Sequence, residues 1–191
     1  LRGYADRVLR HGTTSLQAMS MRPPRRFLPL WQRSGARQRL RLILLPQPAT
    51  LGEPIPGIDL PRNDADRPRV TVSGTKWILD GTPIEHGAAV RSPYAGTQAT
   101  GRMNFSREEI ETLLREIIGR DDQPLLHVAG DATAQTVLEA MAAIAPAEDW
   151  RARRLRFEHG DGLRADLLAR VRDYGVVVVQ NPSHLTITTP F

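Results

Sequence analysis

The chain has 191 residues, 40% of them hydrophobic and 25% charged, a composition typical of a soluble globular domain with an ordinary core. It contains no cysteine, which excludes disulfides and thiolate metal sites and agrees with a cytoplasmic location. The net charge is +5, but its 25 arginines and one lysine are scattered and no long apolar run occurs, so we expect neither a nucleic-acid nor a membrane partner.

Apolar spacing and turn residues predict the elements of the first half in chain order. A helix over 1–11 precedes a strand over 13–19, a helix within 22–39 and a strand over 40–45. A further strand is predicted over 70–79. Proline and glycine predict irregular loops or insertions on either side of it, over 46–69 and 81–105.

The second half has the clearer pattern. Ser106 and Glu109 form a capping box before an apolar stripe that ends at Gly119, which predicts a helix. Strands over 124–129, 154–159 and 176–179 then alternate with helices over 132–145 and 163–174. With about six strands in all, this alternation predicts a single α/β domain over 1–191, with a parallel sheet covered by helices.

Two histidines close successive strands of this pattern. His127 precedes Gly130-Asp131 by three residues, and His159 directly precedes Gly160-Asp161. They lie 32 residues apart, about one strand–helix unit, which would place both imidazoles at the carboxyl ends of neighbouring strands. A buried histidine bonded to a backbone carbonyl is the alternative. Because two occur at equivalent positions, we favour a metal site that lowers the pKa of a bound water to about 7.

Lys76 is the only lysine beside 25 arginines, and it lies within an apolar strand. A lysine that extends its amine from a strand to solvent is the ordinary explanation. An amine that is deprotonated and modified is something arginine does not supply, so its uniqueness favours a chemical role.

Other acidic and histidine residues follow the predicted strands. Asp80 and Asp161 are interpreted as turn formers or helix caps, and Asp131 either caps the following helix or supports a metal ligand. Glu158 would face away from His159 in a regular strand, which favours an ion pair. His184 follows the last strand and is a candidate for contact with substrate.

An ordered set of segments resembles amidohydrolase family 3, a branch of the metal-dependent hydrolases. The segments are Gly12–Gln17, Gly74–Gly81, Ser92–Tyr94, His127–Ala132, Phe157–His159 and Gln180–His184. The resemblance implies a partial (β/α)8 TIM barrel containing strands two to seven. It also implies hydrolysis of carbon–nitrogen bonds in non-peptide, amide-like small molecules by a metal-activated water.

The resemblance also implies particular roles for particular residues. His127, His159 and Lys76, the last of them carbamylated, match ligands for one or two divalent ions, with zinc the expected metal. Asp131 and Asp80 are expected to support these ligands without binding the metal themselves, and His184 is expected to contact the substrate.

Two parts of the family pattern have no counterpart between Leu1 and Phe191: the first-strand His-x-His pair and the last-strand aspartate that acts as general base. We therefore expect an internal piece of a longer enzyme and assign no catalytic residue within it. The alternative is a non-catalytic fragment or subunit that associates, with a second copy or another chain, through open sheet edges.

Overall fold

The computed structural model describes residues 1–20, 24–45, 69–119 and 123–186. The loop predicted over 46–69 lies outside the described residues, except for its last residue. Within the described ranges, no helix has the length and apolar character needed to cross a membrane. The described chain divides into two compact units, of which the first ends at Lys76 and the second begins at Trp77.

The first unit contains two helices and most of three parallel strands. They are α1 (Arg2–Arg10), β1 (Ser15–Ser20), α2 (Pro24–Arg33), β2 (Arg39–Leu44) and β3 (Val70–Ile78). The order in the sheet is β1, β2, β3, and all five elements occur where the sequence predicted them. One face of the strands packs with α2 in a cluster of buried apolar residues: Leu28, Trp31, Leu40, Leu42 and Val72.

A β-bulge in β3 decides which way Lys76 faces. Leu42 pairs with Val72, whereas Leu44 pairs with Thr75, so β3 carries one extra residue between these pairs. Gly74 has a φ of +87°, a conformation that glycine adopts without steric cost. Because Thr75 continues the face of Val72, Lys76 lies on the face opposite the apolar cluster.

The second unit repeats strand and helix. Its elements are α3 (Arg107–Ile118), β4 (Pro124–Val128), α4 (Asp131–Ile144), α5 (Ala147–Arg153), β5 (Arg156–His159), α6 (Ala165–Asp173), β6 (Val177–Val179) and a 3-10 helix (Pro182–Thr186). Strands β4, β5 and β6 pair in parallel, in the order of the chain. Neither α5 nor the 3-10 helix was predicted, because each is too short to show a periodic pattern.

Helix α3 begins as its sequence indicates. The Ser106 side chain accepts a hydrogen bond from the Glu109 N–H, and the Glu109 carboxylate accepts one from the Ser106 N–H, which confirms the capping box. The apolar stripe of α3 is buried and packs against α4. Trp150 of α5 is fully buried, and its indole N–H donates to the Met141 carbonyl at 3.0 Å.

Residues 81–105 form neither helix nor strand, but the loop is closely packed against the start of α4. The Ala89 carbonyl accepts a hydrogen bond from the Ala132 N–H at 3.1 Å. A Cβ on Gly130 would lie 1.9 Å from that carbonyl oxygen, so only glycine fits there. This contact holds the loop beside the ends of β3 and β4, where the candidate site lies.

Candidate metal centre

Asp80 is the buried anchor of the site. It lies just beyond β3 in the second unit and has no exposed surface. Its carboxylate accepts from the N–H groups of Ala89 (3.4 Å), Ala129 (3.0 Å) and Gly130 (2.8 Å), the Thr133 hydroxyl (2.8 Å) and His127 Nδ1 (2.9 Å). A buried carboxylate requires such a complete set of donors, because each unmatched group would carry a desolvation cost. Through one carboxylate, Asp80 therefore links the end of β3, the loop that contains Ala89, and the segment from His127 to Thr133.

His127 occupies the penultimate position of β4 and is 8% exposed. An ionised Asp80 carboxylate can only accept at Nδ1, and in the neutral tautomer that donates to it, Nε2 has the lone pair that a metal binds. A carboxylate on one imidazole nitrogen and a metal on the other is the usual arrangement of a metal-binding histidine. The contact of Asp80 with His127 agrees with the supporting role expected for Asp80, which stays a prediction.

His159 reaches His127 through an irregular backbone. In the parallel register His127 pairs with Glu158, so a regular β5 would turn His159 to the opposite face. Instead the φ of His159 is +84°, which is rare for a residue with a side chain. The two rings meet edge to face, with centroids 4.5 Å apart. Such local strain is characteristic of functional sites.

Glu158 forms the predicted kind of contact. Its carboxylate lies 2.7 Å from a guanidinium nitrogen of Arg156, and both side chains are largely buried, at 7% and 8% exposure. The two residues alternate along β5 and therefore share a face. The contact is an ion pair by distance, since Glu158 Oε1 has no hydrogen bond of good geometry.

His184 joins the histidine pair from the 3-10 helix after β6. Its ring stacks on that of His159, with centroids 5.5 Å apart and 12° between the planes. Its Nδ1 lies 3.0 Å from Asp161 Oδ2. Asp161 lies in a turn, as expected, but the N-cap of the following helix is Arg164. Asp161 was not predicted as a site residue, although it follows His159 by only two positions.

Asp131 is part of a separate ionic network at the start of α4. The N-cap of that helix is Gly130, and the Asp131 carboxylate contacts Nε of Arg91 and Nε of Arg164, each at 2.8 Å. Arg91 also bridges to Asp166. Burial acts to raise the pKa of Asp131, but the hydrogen bonds from Arg91 and the charges of Arg164 and Arg91 together outweigh it, so the pKa lies below its usual value. The expected role of Asp131 in supporting a metal ligand stays a prediction.

The Arg91 network predicts a pH-dependent contribution to stability. Hydrogen bonds from Arg91 also lower the pKa of Asp166. A carboxyl whose pKa is lower in the folded than in the unfolded state stabilises the fold above about pH 4, and this is lost as the pH falls through the folded-state pKa. Arg91→Gln should therefore lower the urea midpoint at pH 7, and the difference from wild type should shrink towards pH 3.

Arg172→Gln provides the matched control, since Arg172 is exposed and pairs with its neighbour Asp173. We expect its urea midpoint to stay within error of wild type at both pH values. A deficit in Arg91→Gln that is equal at pH 7 and pH 3 would contradict the ionic origin of the effect.

Lys76 lies in the first unit, unlike the three histidines. Its amine donates to the Met19 sulfur at 3.3 Å, and the side chain is half-buried. Its expected role as a metal ligand therefore depends on the family resemblance alone and stays a prediction.

A cavity opens beside Asp161 within the second unit. It encloses about 380 Å³ and is lined by Val90, Ser92–Tyr94, Asp131 and Asp161–Arg164. This volume is in the range of small-molecule sites. Asp161 is the residue that this cavity shares with the histidine cluster, since it lines the cavity and contacts His184.

Comparison with known sequences identifies one family. Residues 28–185 match the sequence model of the amidohydrolase family, which covers most of the chain. No curated protein matches the chain significantly.

Solved structures show the same fold. An uncharacterized metal-dependent hydrolase from Pyrococcus furiosus superposes with a TM-score of 0.76 at 19% identity, over 97% of this chain and 38% of that one. One from Pyrococcus horikoshii OT3 gives 0.75 at 21% identity, over 96% and 36%. An ochratoxinase from A. niger gives 0.55 at 13% identity, over 97% and 46%. The chain thus spans less than half of each relative, and the predicted partial (β/α)8 barrel is confirmed.

Proposed function

The chain belongs to the amidohydrolase family, and from that premise we propose that its protein hydrolyses carbon–nitrogen bonds of non-peptide, amide-like small molecules with one or two divalent ions, zinc being the expected metal. The observation that carries the proposal is the contact between His127 and His159 at the ends of two neighbouring strands. The ends of parallel barrel strands are where this fold places its chemistry.

The side chains of the pair suit a metal. Asp80 occupies Nδ1 of His127 and fixes the ring, which leaves Nε2 as the ligand atom. When bound, a divalent ion polarises a substrate carbonyl and lowers the pKa of a water molecule. Lys76 is proposed as a further, carbamylated ligand on the family resemblance. No residue of this chain is assigned as the general base.

The cavity beside Asp161 supports binding of a small substrate. It combines apolar walls with the side chains of Asp131, Asp161 and Arg164. A lining that mixes polar and apolar side chains can orient a bound small molecule. The resemblance gives His184 a contact with substrate, and its hydrogen-bond partner Asp161 lines this cavity.

Metal removal tests the proposed activity. The protein that contains this chain should hydrolyse a panel of N-acyl and cyclic amide substrates, lose that activity after treatment with a chelator, and regain it with Zn²⁺. Matched esters and phosphoesters serve as controls for the bond type. Amide hydrolysis that survives complete metal removal, or turnover confined to esters or phosphoesters, would contradict the proposal.

Association through open sheet edges is the second candidate, whether with a copy of the chain or with another chain. Among the described residues, β1 pairs only with β2 and β6 only with β5, so each leaves one row of backbone groups available. Sizing chromatography of the chain tests self-association: a concentration-dependent dimer supports it, and a monomer at all concentrations contradicts it and leaves only association with another chain. A cytoplasmic location is likewise proposed, from the absence of cysteine.

A further inference from the structure

His159 has two polar neighbours besides His127. Asp161 follows it by two residues, and His184 stacks on its ring. One ligand atom from each of His159, Asp161 and His184 can be chosen so that all three lie within 4.8 Å of one another. We propose that these three side chains bind a divalent ion of borderline softness, such as Zn²⁺, Co²⁺ or Fe²⁺.

The donor set decides the class of ion. Two imidazoles and one carboxylate suit zinc and the neighbouring divalent transition metals. Magnesium and calcium prefer sites made of oxygen atoms alone and keep several waters or carboxylates. All three side chains are half-buried, which leaves the ion a path from solvent.

Backbone hydrogen bonds hold the residues on both sides of Asp161 in its turn. The Gly160 N–H donates to the Val128 carbonyl and the Gly162 N–H to the Ala129 carbonyl, each at 2.8 Å. A Cβ on Gly160 would lie 2.7 Å from Val178 Cγ1, so the turn is also packed against β6. A metal site needs ligands held in place before the ion arrives, and these contacts provide that rigidity.

The separations are close to those of a metal site. Tetrahedral zinc with bonds of 2.0–2.1 Å sets its ligand atoms about 3.3 Å apart. Asp161 Oδ2 and His184 Nδ1 are already 3.0 Å apart. The chosen ligand atoms of all three residues lie within 4.8 Å of one another.

This inference rests on the proposed function for its divalent ion but assigns the ligands differently. His184 becomes a metal ligand, so the cavity alone receives the substrate. The carboxylate ligand comes from Asp161, within this chain.

Titration of the 191-residue chain with Co²⁺ tests the assignment without any activity measurement. Wild type should bind one ion per chain and develop the visible absorption of a cobalt ion with nitrogen and oxygen ligands. His159→Gln, Asp161→Asn and His184→Gln should each weaken binding by more than about 100-fold, beyond the 10–100-fold typical of residues behind the ligands. The exposed residues His11 and Asp173 supply the controls His11→Gln and Asp173→Asn, which should bind as wild type. Far-UV circular dichroism verifies that each variant folds.

The outcomes separate the two proposals. Folded Asp161→Asn and His184→Gln variants that bind Co²⁺ as wild type would overturn the inference, and loss of binding in His127→Ala would then support the ligand pair of the proposed function. Loss of binding in Asp161→Asn and His184→Gln with normal binding in His127→Ala would support the inference and remove His127 from the ligands. A folded wild-type chain that binds no Co²⁺ would overturn the inference, while the chelator experiment still decides the proposed activity.

Discussion

Asp80→Ala is expected to lower the free energy of unfolding by about 4 kcal/mol or more, because several buried donors lose their acceptor at once. Three backbone N–H groups, the Thr133 hydroxyl and His127 Nδ1 all donate to this carboxylate. The measurement is urea unfolding at pH 7. Asp173→Ala is the control, because Asp173 is exposed and a change there should stay within about 0.5 kcal/mol.

The same change should also weaken metal binding. Without Asp80, His127 loses the acceptor that fixes its ring, and such losses typically cost about 10–100-fold in metal affinity. Asp80→Asn should fall between wild type and Asp80→Ala in stability. Both carboxylate oxygens of Asp80 accept from N–H donors, so in either orientation the NH2 group of asparagine would face donors and could not accept from them. An Asp80→Ala variant within about 1 kcal/mol of wild type would contradict the role of Asp80 as a buried anchor.

The ion pair between Arg156 and Glu158 gives the second large effect. Both side chains are largely buried in β5, with 2.7 Å between the guanidinium nitrogen and the carboxylate oxygen. Removal of one partner leaves a buried charge without its counter-charge and should cost about 3–5 kcal/mol. We expect this loss for Glu158→Leu and for Arg156→Met, measured as free energies of unfolding.

The double variant distinguishes a coupled pair from two independent residues. Arg156→Met with Glu158→Leu removes both charges, so its stability should recover to near that of wild type. The coupling free energy from the double-mutant cycle should exceed about 1 kcal/mol. Losses that add in the double variant would show that the two residues act separately.

The sequence predicted the elements well where the pattern is local. The spacing of Ser106 and Glu109 indicates the start of α3, because both partners of the capping box lie within one turn. The ends of β4 and β5 were equally predictable, because an apolar run ends near each of His127 and His159. The order of the elements then predicts parallel strands and a shared edge.

Contacts between distant parts of the chain were not predictable in this way. Asp80 binds groups 9 to 53 residues away, and nothing in its immediate neighbours indicates that arrangement. His159 has a positive φ, which strand alternation does not indicate, so alternation along the strand gives the wrong face. Asp161 was interpreted as a turn residue, which it is, but its contact with His184 depends on the return of the chain after β6.

The central claim is that His127 and His159 hold a divalent metal, and metal analysis of the purified protein tests it most directly. Wild type should contain at least one equivalent of zinc or a similar divalent ion per chain, and His11→Gln should match it. The double variant His127→Ala with His159→Ala should contain almost none while keeping the circular dichroism spectrum of wild type. Undiminished metal content in a folded double variant would contradict the claim.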